Sequence, residues 1–232
     1  YDTYDVLLRE TTDAVGNRAT AERLDYRVLQ PQLLSDINGN QTEVVFDALG
    51  IVAGTAVRGK QQDVGDRLVA FEANLTPAQV GQFVGAADPR ATAAPLLKDA
   101  TTRVVYDFDA FRASRRAHPD DRTKWRPAYA ATIARETHTD AVLPPDGQRI
   151  QVTFSYSDGF AREIQKKVPA EPGPVVEGGP VVSPRWAGSG WTIFNNKGQP
   201  VRRYEPFFSG LALGHQFEFG VEAGVSAILF YD

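Results

Sequence analysis

The side chains that could do chemistry in this chain are three histidines, one glycine-flanked serine and a scatter of carboxylates. His118, His138 and His215 each stand without a second histidine close by in the sequence, and that spacing is what brings two imidazoles to one metal ion. An isolated histidine is typical of a surface position or of a hydrogen-bonded core position. We therefore expect none of the three to bind a metal.

A calcium site is the next possibility, in the segment Asp36-Ile37-Asn38-Gly39-Asn40-Gln41. Asp36, Asn38 and Asn40 alternate as the first ligands of a calcium loop do, but Gly39 is the fourth residue of the segment, whereas such a loop needs its glycine at the sixth. No liganding glutamate on a following helix completes the pattern. A tight turn between two strands is the better interpretation.

Nucleophilic and acid–base catalysis have weak signals. Ser189 in Trp186-Ala187-Gly188-Ser189-Gly190-Trp191 resembles a nucleophile elbow, but Ala187 stands where that motif requires glycine, and no strand-to-helix transition surrounds it. A bend between two buried tryptophan-bearing strands is favoured. Glu136 and Asp140 are an example of a carboxylate pair for glycoside hydrolysis, yet no spacing singles them out. We predict no catalytic, cofactor-binding or metal-binding residue, and no cofactor.

Aromatic side chains leave one functional alternative open. An exposed aromatic row would stack on sugar rings, which would make the chain a carbohydrate-binding β module of a secreted surface protein. In a chain with 10% aromatic residues and alternating strands, most of these rings are expected in the core. The candidates are Trp125, Trp186, Trp191, Phe207 and Phe208.

Composition excludes several kinds of partner and chemistry, but it does not select a fold. The 232 residues carry 25 basic and 29 acidic side chains, a net charge of −4, and no basic footprint for nucleic acid or anionic lipid. With no cysteine there is no disulfide and no thiol chemistry. No apolar run is long enough to span a membrane. Because the chain also contains no methionine, we expect it to be a piece of a longer protein.

Strands dominate the predicted secondary structure. Residues 149–156 alternate strictly, with Ile150, Val152, Phe154 and Tyr156 on one face, as expected of a half-buried strand. The same alternation predicts strands over 23–30 and 216–222, and apolar runs predict strands over 103–108 and 227–232. Turn-forming residues separate them at 15–17, 38–40, 146–147, 157–159 and 196–198. The fold class is therefore mainly β, built from antiparallel hairpins.

Two segments depart from this pattern. An alanine-rich stretch predicts a small helical insertion at about 76–99. It contains one helix at about 77–85, with Thr76 as its cap and Pro77 in its first turn, and a weaker helix at about 91–99. Residues 169–184 are rich in proline and glycine and are predicted to be a long surface loop or a boundary. The charged connector at 112–128 has no pattern that predicts its structure.

Aromatic–aspartate pairs recur along the chain. Each stands at the end of a predicted strand, which suggests a hairpin module in which the aromatic ring packs, the aspartate binds backbone N–H groups and a glycine reverses the chain. We interpret these pairs as structural punctuation of stacked β units. They are Tyr4-Asp5, Phe46-Asp47, Tyr106-Asp107 and Tyr231-Asp232, with a looser copy at 155–159.

Several sequence blocks resemble the B component of bacterial insecticidal toxin complexes, the Tc toxins, which carry Rhs/YD-type repeats. They are residues 25–31, 36–60, 101–111, 185–210 and 217–232, and the regions 24–60 and 185–210 are the most specific. The resemblance runs over nearly the whole chain and is weakest at 61–100. It implies that residues 1–232 are a single β-rich shell segment near the C-terminal end of a B component. The B and C components of that family coil a long β-sheet into a hollow, secreted shell.

The resemblance implies a structural role and carries over no catalytic residue. The shell would enclose a toxic effector polypeptide before it passes into the A-component channel. Partners implied in this way are the remainder of the B component, the C component and the enclosed effector, with the A-component channel met only indirectly. No propeller blades, self-cleaving aspartate site or effector domain are visible in the sequence. The chain is accordingly expected not to be an enzyme.

Overall fold

The structure, a computed structural model, describes residues 1–60 and 65–231. They form two compact units, and each is described by itself. The first unit comprises Tyr1–Thr76, Ala93–Val104 and Ile133–Gln151, and the second comprises Pro77–Thr92, Val105–Thr132 and Val152–Asp232. The mainly β, antiparallel class predicted from the sequence is confirmed. That all 232 residues act as one shell segment stays a prediction.

The first unit is built on an antiparallel meander in which each strand pairs with the next along the chain. Its strands are β1 (Glu10–Thr12), β2 (Arg18–Asp25), β3 (Gln30–Ser35), β4 (Gln41–Phe46) and β5 (Val52–Arg58). The start of β6 (Thr102–Asp107) pairs with β5 at Gly54 and Thr55. Thr55 and Thr102 share a hydroxyl hydrogen bond of 2.7 Å across this pair.

The strand predicted over 23–30 is wrong in its second half. β2 ends at Asp25, and residues 26–29 form the turn into β3, with Asp25 facing Gln30 in the register. The carboxylate of Asp25 accepts a hydrogen bond from the backbone N–H of Arg27 (2.9 Å), and Leu29 takes a left-handed conformation (φ 55°). A side chain that binds the backbone two residues on favours a turn over a ladder.

The remaining strands follow along the chain, and most of their residues belong to the second unit. They are β7 (Ala128–Arg135), β8 (Ile150–Ser157), β9 (Glu163–Ala170), β10 (Gly173–Pro174), β11 (Val181–Val182), β12 (Arg185–Gly188), β13 (Thr192–Phe194), β14 (Pro200–Arg203), β15 (Phe207–Phe208) and β16 (Ala227–Ile228). β9 pairs with β8 on one side and with β12 on the other, and β12 pairs in turn with β15. β10 and β11 form a small hairpin, while β13, β14 and β16 form a separate three-stranded sheet.

The alternation read at 149–156 is confirmed by β8, in which Val152, Phe154 and Tyr156 are all buried. The strand predicted over 216–222 is wrong, because that segment is irregular. Its backbone is held by a side chain instead of a ladder: the N–H of Glu218 donates to Oε1 of Gln165 (2.9 Å). The strand predicted over 227–232 is reduced to β16, and Asp232 lies outside the described residues.

The helical insertion has the predicted place. The first helix, α1 (Pro77–Gly85), has the predicted bounds, and the second prediction corresponds to a 3-10 turn at Pro89–Thr92 followed by α2 (Ala94–Leu97). A third helix, α3 (Ala110–Ala117), extends into the connector 112–128, for which the sequence predicted no structure. The segment 169–184 carries the β10–β11 hairpin and a cis peptide bond at Ser183–Pro184. Among the described residues, no helix is long and apolar enough to cross a membrane.

Candidate functional site

Five hairpin loops share one hydrogen-bonded design. In each, the side-chain oxygen of the first residue accepts hydrogen bonds from the backbone N–H groups two and four positions later. The fourth residue takes a left-handed conformation, and it is glycine in four loops and Ala161 in the other. The loops are Asp13–Asn17, Asp36–Asn40, Asp47–Ile51, Asp158–Arg162 and Asn195–Gln199.

Among the five loops, the Asp47 loop has the most deeply buried first residue. Oδ1 of Asp47 accepts from the N–H groups of Leu49 and Ile51, both at 2.9 Å, and the N–H of Asp47 donates to the carbonyl of Ile51 (2.9 Å). Gly50 supplies the reversal at φ 81°. The predicted roles of the aspartate and of the glycine are therefore confirmed for the Phe46-Asp47 pair.

The segment that resembled the start of a calcium loop is another copy of this turn. Oδ1 of Asp36 accepts from the N–H groups of Asn38 and Asn40 (2.8 Å each), and Oδ2 accepts from the Asn40 side chain (2.9 Å). The hydrogen bonds from Asn40 lower the pKa of Asp36, because they stabilise its charged form. The interpretation of this segment as a turn is confirmed.

The other aromatic–aspartate pairs behave differently from one another. At the N-terminus Asp2, not Asp5, is the acceptor: its Oδ1 binds the N–H groups of Tyr4, Val6 and Leu7, and Asp5 takes the left-handed position (φ 56°). The prediction for Asp5 was therefore wrong, although the Tyr1-Asp2 pair carried the same signal. Asp107 accepts from the N–H of Asp109 (2.8 Å), just before α3. Tyr231-Asp232 falls partly outside the described residues.

Arginine side chains fasten neighbouring loops together. In the first unit, Nη1 of Arg27, in the β2–β3 turn, donates to the carbonyl of Asp47 (2.5 Å) in the β4–β5 turn. In the second unit, Arg162 forms an ion pair with Asp158 and lies over the ring of Phe194 (4.5 Å to the centroid). Arg27 thus joins two alternate turns of the meander, while Arg162 closes its own loop and covers the ring of Phe194.

Strands β1 to β4 have little buried surface on either face. Ala21 and Gln41 are the only buried residues of these four strands. All their other residues, on both faces, are half-buried or exposed. A sheet that covers a globular core normally buries one complete face. This part of the chain is therefore a single β layer with two accessible faces.

A buried carboxylate organises the loops of the first unit. Oδ2 of Asp66 accepts from the hydroxyl of Thr101 (2.5 Å) and contacts Nδ1 of His138 (2.9 Å), and Oδ1 accepts from both the N–H and the hydroxyl of Thr139 (2.8 Å each). Burial raises the pKa of Asp66, but these hydrogen bonds outweigh it and leave the pKa below its ordinary value. The cluster joins three segments that are far apart in the sequence.

The second unit has an aromatic core around a buried histidine. His215 contacts the rings of Phe154 (5.1 Å between centroids) and Trp186 (5.5 Å), and its Nε2 lies 2.8 Å from the carbonyl of Val84 on α1. Tyr156 donates its hydroxyl to the carbonyl of His215 (2.8 Å). Burial lowers the pKa of His215 and favours the neutral ring. His215 therefore anchors the helix and the 210–220 loop to the sheet.

A buried ion pair holds the same loop. Lys167 on β9 is fully buried and contacts Oε1 of Glu218, which also accepts from the hydroxyl of Ser209. Burial lowers the pKa of Lys167 despite that partner, and the ammonium also lies 4.8 Å from the centroid of the Phe207 ring. Sequence reasoning missed this pair, since its members are separated by a long stretch of chain.

The remaining candidate residues have structural contacts. Ser189 accepts from the N–H of Lys166 (2.9 Å) and donates to the carbonyl of Gly190 (3.2 Å). Glu136 is bound by Gln151, and Asp140 accepts from the N–H of Gly65 (3.0 Å). Among the described residues, no group of three histidine or acidic side chains is placed to hold a metal ion.

The aromatic residues considered for sugar binding do not form one exposed row. Trp186 is 1% exposed and lies in the core of the second unit, as expected for a strand-borne tryptophan. Trp125 and Trp191 are half-buried, and each contacts a phenylalanine ring: Phe111 and Phe219, respectively. Without Trp186, the three tryptophans cannot form one exposed platform.

Comparison with known proteins gives structural likeness alone. No protein-family model and no curated protein matches this chain. A crystal structure of TcdB2-TccC3 is 28% identical, with a TM-score of 0.57, over 86% of this chain and 9% of that one. The structure of TcdB2-TccC3 without its hypervariable C-terminal region is 23% identical, with a TM-score of 0.61, over 86% of this chain and 11% of that one.

A third similar structure is the Photorhabdus luminescens Tc holotoxin pore, at 23% identity and a TM-score of 0.59, over 87% of this chain and 11% of that one. The chain therefore has a Tc toxin-related fold. It spans about a tenth of the length of the chains it matches.

Proposed function

We propose that this chain is a structural segment of the B component of a bacterial toxin complex and forms part of a β-sheet wall that encloses an effector polypeptide before translocation. Its partners would be the remainder of the B component, the C component and the enclosed effector, with the A-component channel met only indirectly. It would act in a secreted complex, without catalysis and without a cofactor.

The observation that carries this proposal is the single β layer of β1 to β4. A wall needs an inner and an outer face, and these strands leave both faces accessible while the ladder satisfies their backbone groups. The edge strand β1 is short and exposed, and Glu10 on it is paired with Arg18. Such a charged, short edge limits unwanted pairing with other sheets.

The repeated loops support the same role. Each loop satisfies its own backbone N–H groups with one carboxylate or amide oxygen, so a hairpin can end without packing against a core. Arg27 in addition joins the β2–β3 turn to the Asp47 loop. Confinement of a polypeptide requires this kind of continuous and closed hydrogen bonding, and it requires no reactive group. The likeness to TcdB2-TccC3 over 86% of the chain adds independent support.

Single cysteines on opposite faces of β3 test the proposal, because the chain has no cysteine of its own. Leu33 and Leu34 are adjacent and therefore point to opposite faces of the layer. We expect a bulky polymer maleimide to label both Leu33→Cys and Leu34→Cys in the isolated chain. In the assembled complex with its effector inside, it should label one of them only.

A photo-crosslinker attached at the protected position should then join this chain to the effector. Equal labelling of both positions in the assembled complex would exclude an enclosed face at β3. A glycan array gives the complementary test of the carbohydrate-binding alternative: binding that is lost on Trp125→Ala and Trp191→Ala would favour that function over the wall.

A further inference from the structure

A basic and aromatic surface lies on the connector between β6 and β7. Residues 108–127 contain six basic side chains and three acidic ones, whereas the rest of the chain contains 19 basic and 26 acidic side chains. This segment therefore opposes the charge of the remaining chain. The wall proposed above makes no use of it.

Four of the six cations have no carboxylate partner among the described residues. Arg112 is paired with Asp109 (2.5 Å) and Lys124 with Asp121 (3.5 Å). The four others are exposed and enter no ion pair in the described part of the chain. Favourable placement in the last turn of α3 accounts for two of them, but not for the two that follow the helix. The four are Arg115, Arg116, Arg122 and Arg126.

Trp125 holds two of these arginines in place. The guanidinium carbons of Arg115 and Arg122 lie 5.4 Å and 5.6 Å from the centroid of its ring. The ring itself is fixed, because its Nε1–H donates to the carbonyl of His118 (2.8 Å) and its plane meets Phe111 edge-on (5.7 Å). A guanidinium that is already ordered on an aromatic face loses less entropy when it binds a ligand.

Exposed apolar surface adjoins these cations. Phe111 is 44% exposed on α3, and Phe108, immediately before the helix, is 58% exposed. Arg112, Arg115 and Arg116 are three and four residues apart, so they share one side of the helix. The surface therefore combines fixed guanidinium donors with partly exposed phenyl rings, which suits a ligand that carries both carboxylates and an apolar side chain.

We propose that residues 108–126, the Arg–Trp surface, form a docking site for an acidic polypeptide segment. Discrete carboxylates fit it better than a continuous phosphate backbone, because Asp109, Asp120 and Asp121 are interspersed with the arginines and would repel a dense row of phosphates. The helix is only eight residues long, about 12 Å, so a short segment would cover the surface. This inference goes beyond the wall and does not depend on it.

Fluorescence anisotropy with a labelled ten-residue peptide of alternating glutamate and leucine tests the proposal. We expect salt-sensitive binding that weakens about tenfold or more in Arg115→Glu/Arg122→Glu, since each charged hydrogen bond lost is worth about a tenfold change. Arg202→Glu/Arg203→Glu, at two exposed positions of β14, makes the same change of charge elsewhere and should bind as the wild type does. Melting curves of all three proteins check that each is folded.

Two further probes decide what kind of partner the surface prefers. An oligothymidylate and vesicles containing phosphatidylserine should bind more weakly than the peptide. Tighter binding of either polyanion would overturn the proposal, as would the absence of peptide binding. Equal weakening by Arg202→Glu/Arg203→Glu would show a non-specific charge effect and would also overturn it.

Discussion

Arg27 donates a hydrogen bond from its guanidinium to the carbonyl oxygen of Asp47, at 2.5 Å, and so joins the turn after β2 to the turn after β4. The two residues are not neighbours in any strand register. Val28 also packs against Gly50, so close that a Cβ added to this glycine would lie 2.8 Å from a Val28 methyl. These two alternate turns of the meander are therefore stacked on each other along one side of the layer.

Replacing Arg27 should weaken this stack. Arg27→Gln leaves the carbonyl of Asp47, a buried residue, without that donor, and we expect a loss of about 1 kcal/mol, or a fall in Tm of about 2–4 °C. Urea denaturation measures the loss. The control is Arg9→Gln, at an exposed position, which should leave Tm unchanged. Equal effects of the two substitutions would contradict the role given to Arg27.

Three glycine-to-alanine variants separate backbone strain from crowding. Gly159 has open space around it and no left-handed backbone, so Gly159→Ala should be close to neutral. Gly16 is left-handed (φ 89°) but uncrowded, and Gly16→Ala should cost about 1–2 kcal/mol. Gly50→Ala adds the Val28 clash and should cost the most. Thermal unfolding should rank Gly159→Ala as the most stable variant, Gly16→Ala as the next and Gly50→Ala as the least stable. Any other order would contradict the roles given to these glycines.

The buried ion pair predicts an asymmetric response to substitution. Lys167→Met leaves Glu218 with Ser209 but without its cation, and we expect a loss of about 3–5 kcal/mol. Adding Glu218→Gln removes the uncompensated charge and should restore part of the stability. Urea unfolding of the single and double variants measures this coupling. A double variant less stable than Lys167→Met would show that the charge on Glu218 is supported by other groups.

Asp66 predicts a pH dependence of stability. Its pKa in the folded chain is below the ordinary value, so its stabilising effect is present above the unfolded pKa of about 3.9 and is lost as the pH falls through the lower, folded value. Asp66→Asn should therefore be less stable than the wild type at neutral pH, by roughly 2–3 kcal/mol.

At about pH 3 the difference in the free energy of unfolding between the wild type and Asp66→Asn should be smaller than at neutral pH. Denaturant unfolding at the two pH values gives the comparison, and Asp120→Asn, at an exposed position, controls for the change in net charge. A difference that stays constant with pH would mean that Asp66 acts through shape and not through its charge.

The turns and the regular strands were predictable because their causes are local. A carboxylate two residues before an N–H group, a glycine that accepts a positive φ and strict alternation over β8 are all short-range features. The bounds of α1 followed from its proline and its capping pattern for the same reason. The failures at 26–29 and 216–222 have one source: alternation continues across a turn or an irregular segment without any change in composition.

The buried clusters around Asp66, Lys167 and His215 were not predictable, because their members lie far apart in the sequence. Asp66 meets residues near 101 and 139, Lys167 meets Glu218, and His215 meets Val84. No periodicity connects such positions, since their spacing reflects how the chain packs and not how a strand alternates. Desolvation in the folded chain is the largest cause of the lowered pKa values of Lys167 and His215.

The sequence by itself determined a β chain with closed hairpin turns, because the groups that satisfy each turn lie within five residues of one another. Tertiary structure alone decided which carboxylates are buried, which loops cover the aromatic core and how the arginines of the Arg–Trp surface are ordered on Trp125. Those outcomes depend on free energies of burial and on contacts between distant segments, and both exist only once the chain has folded.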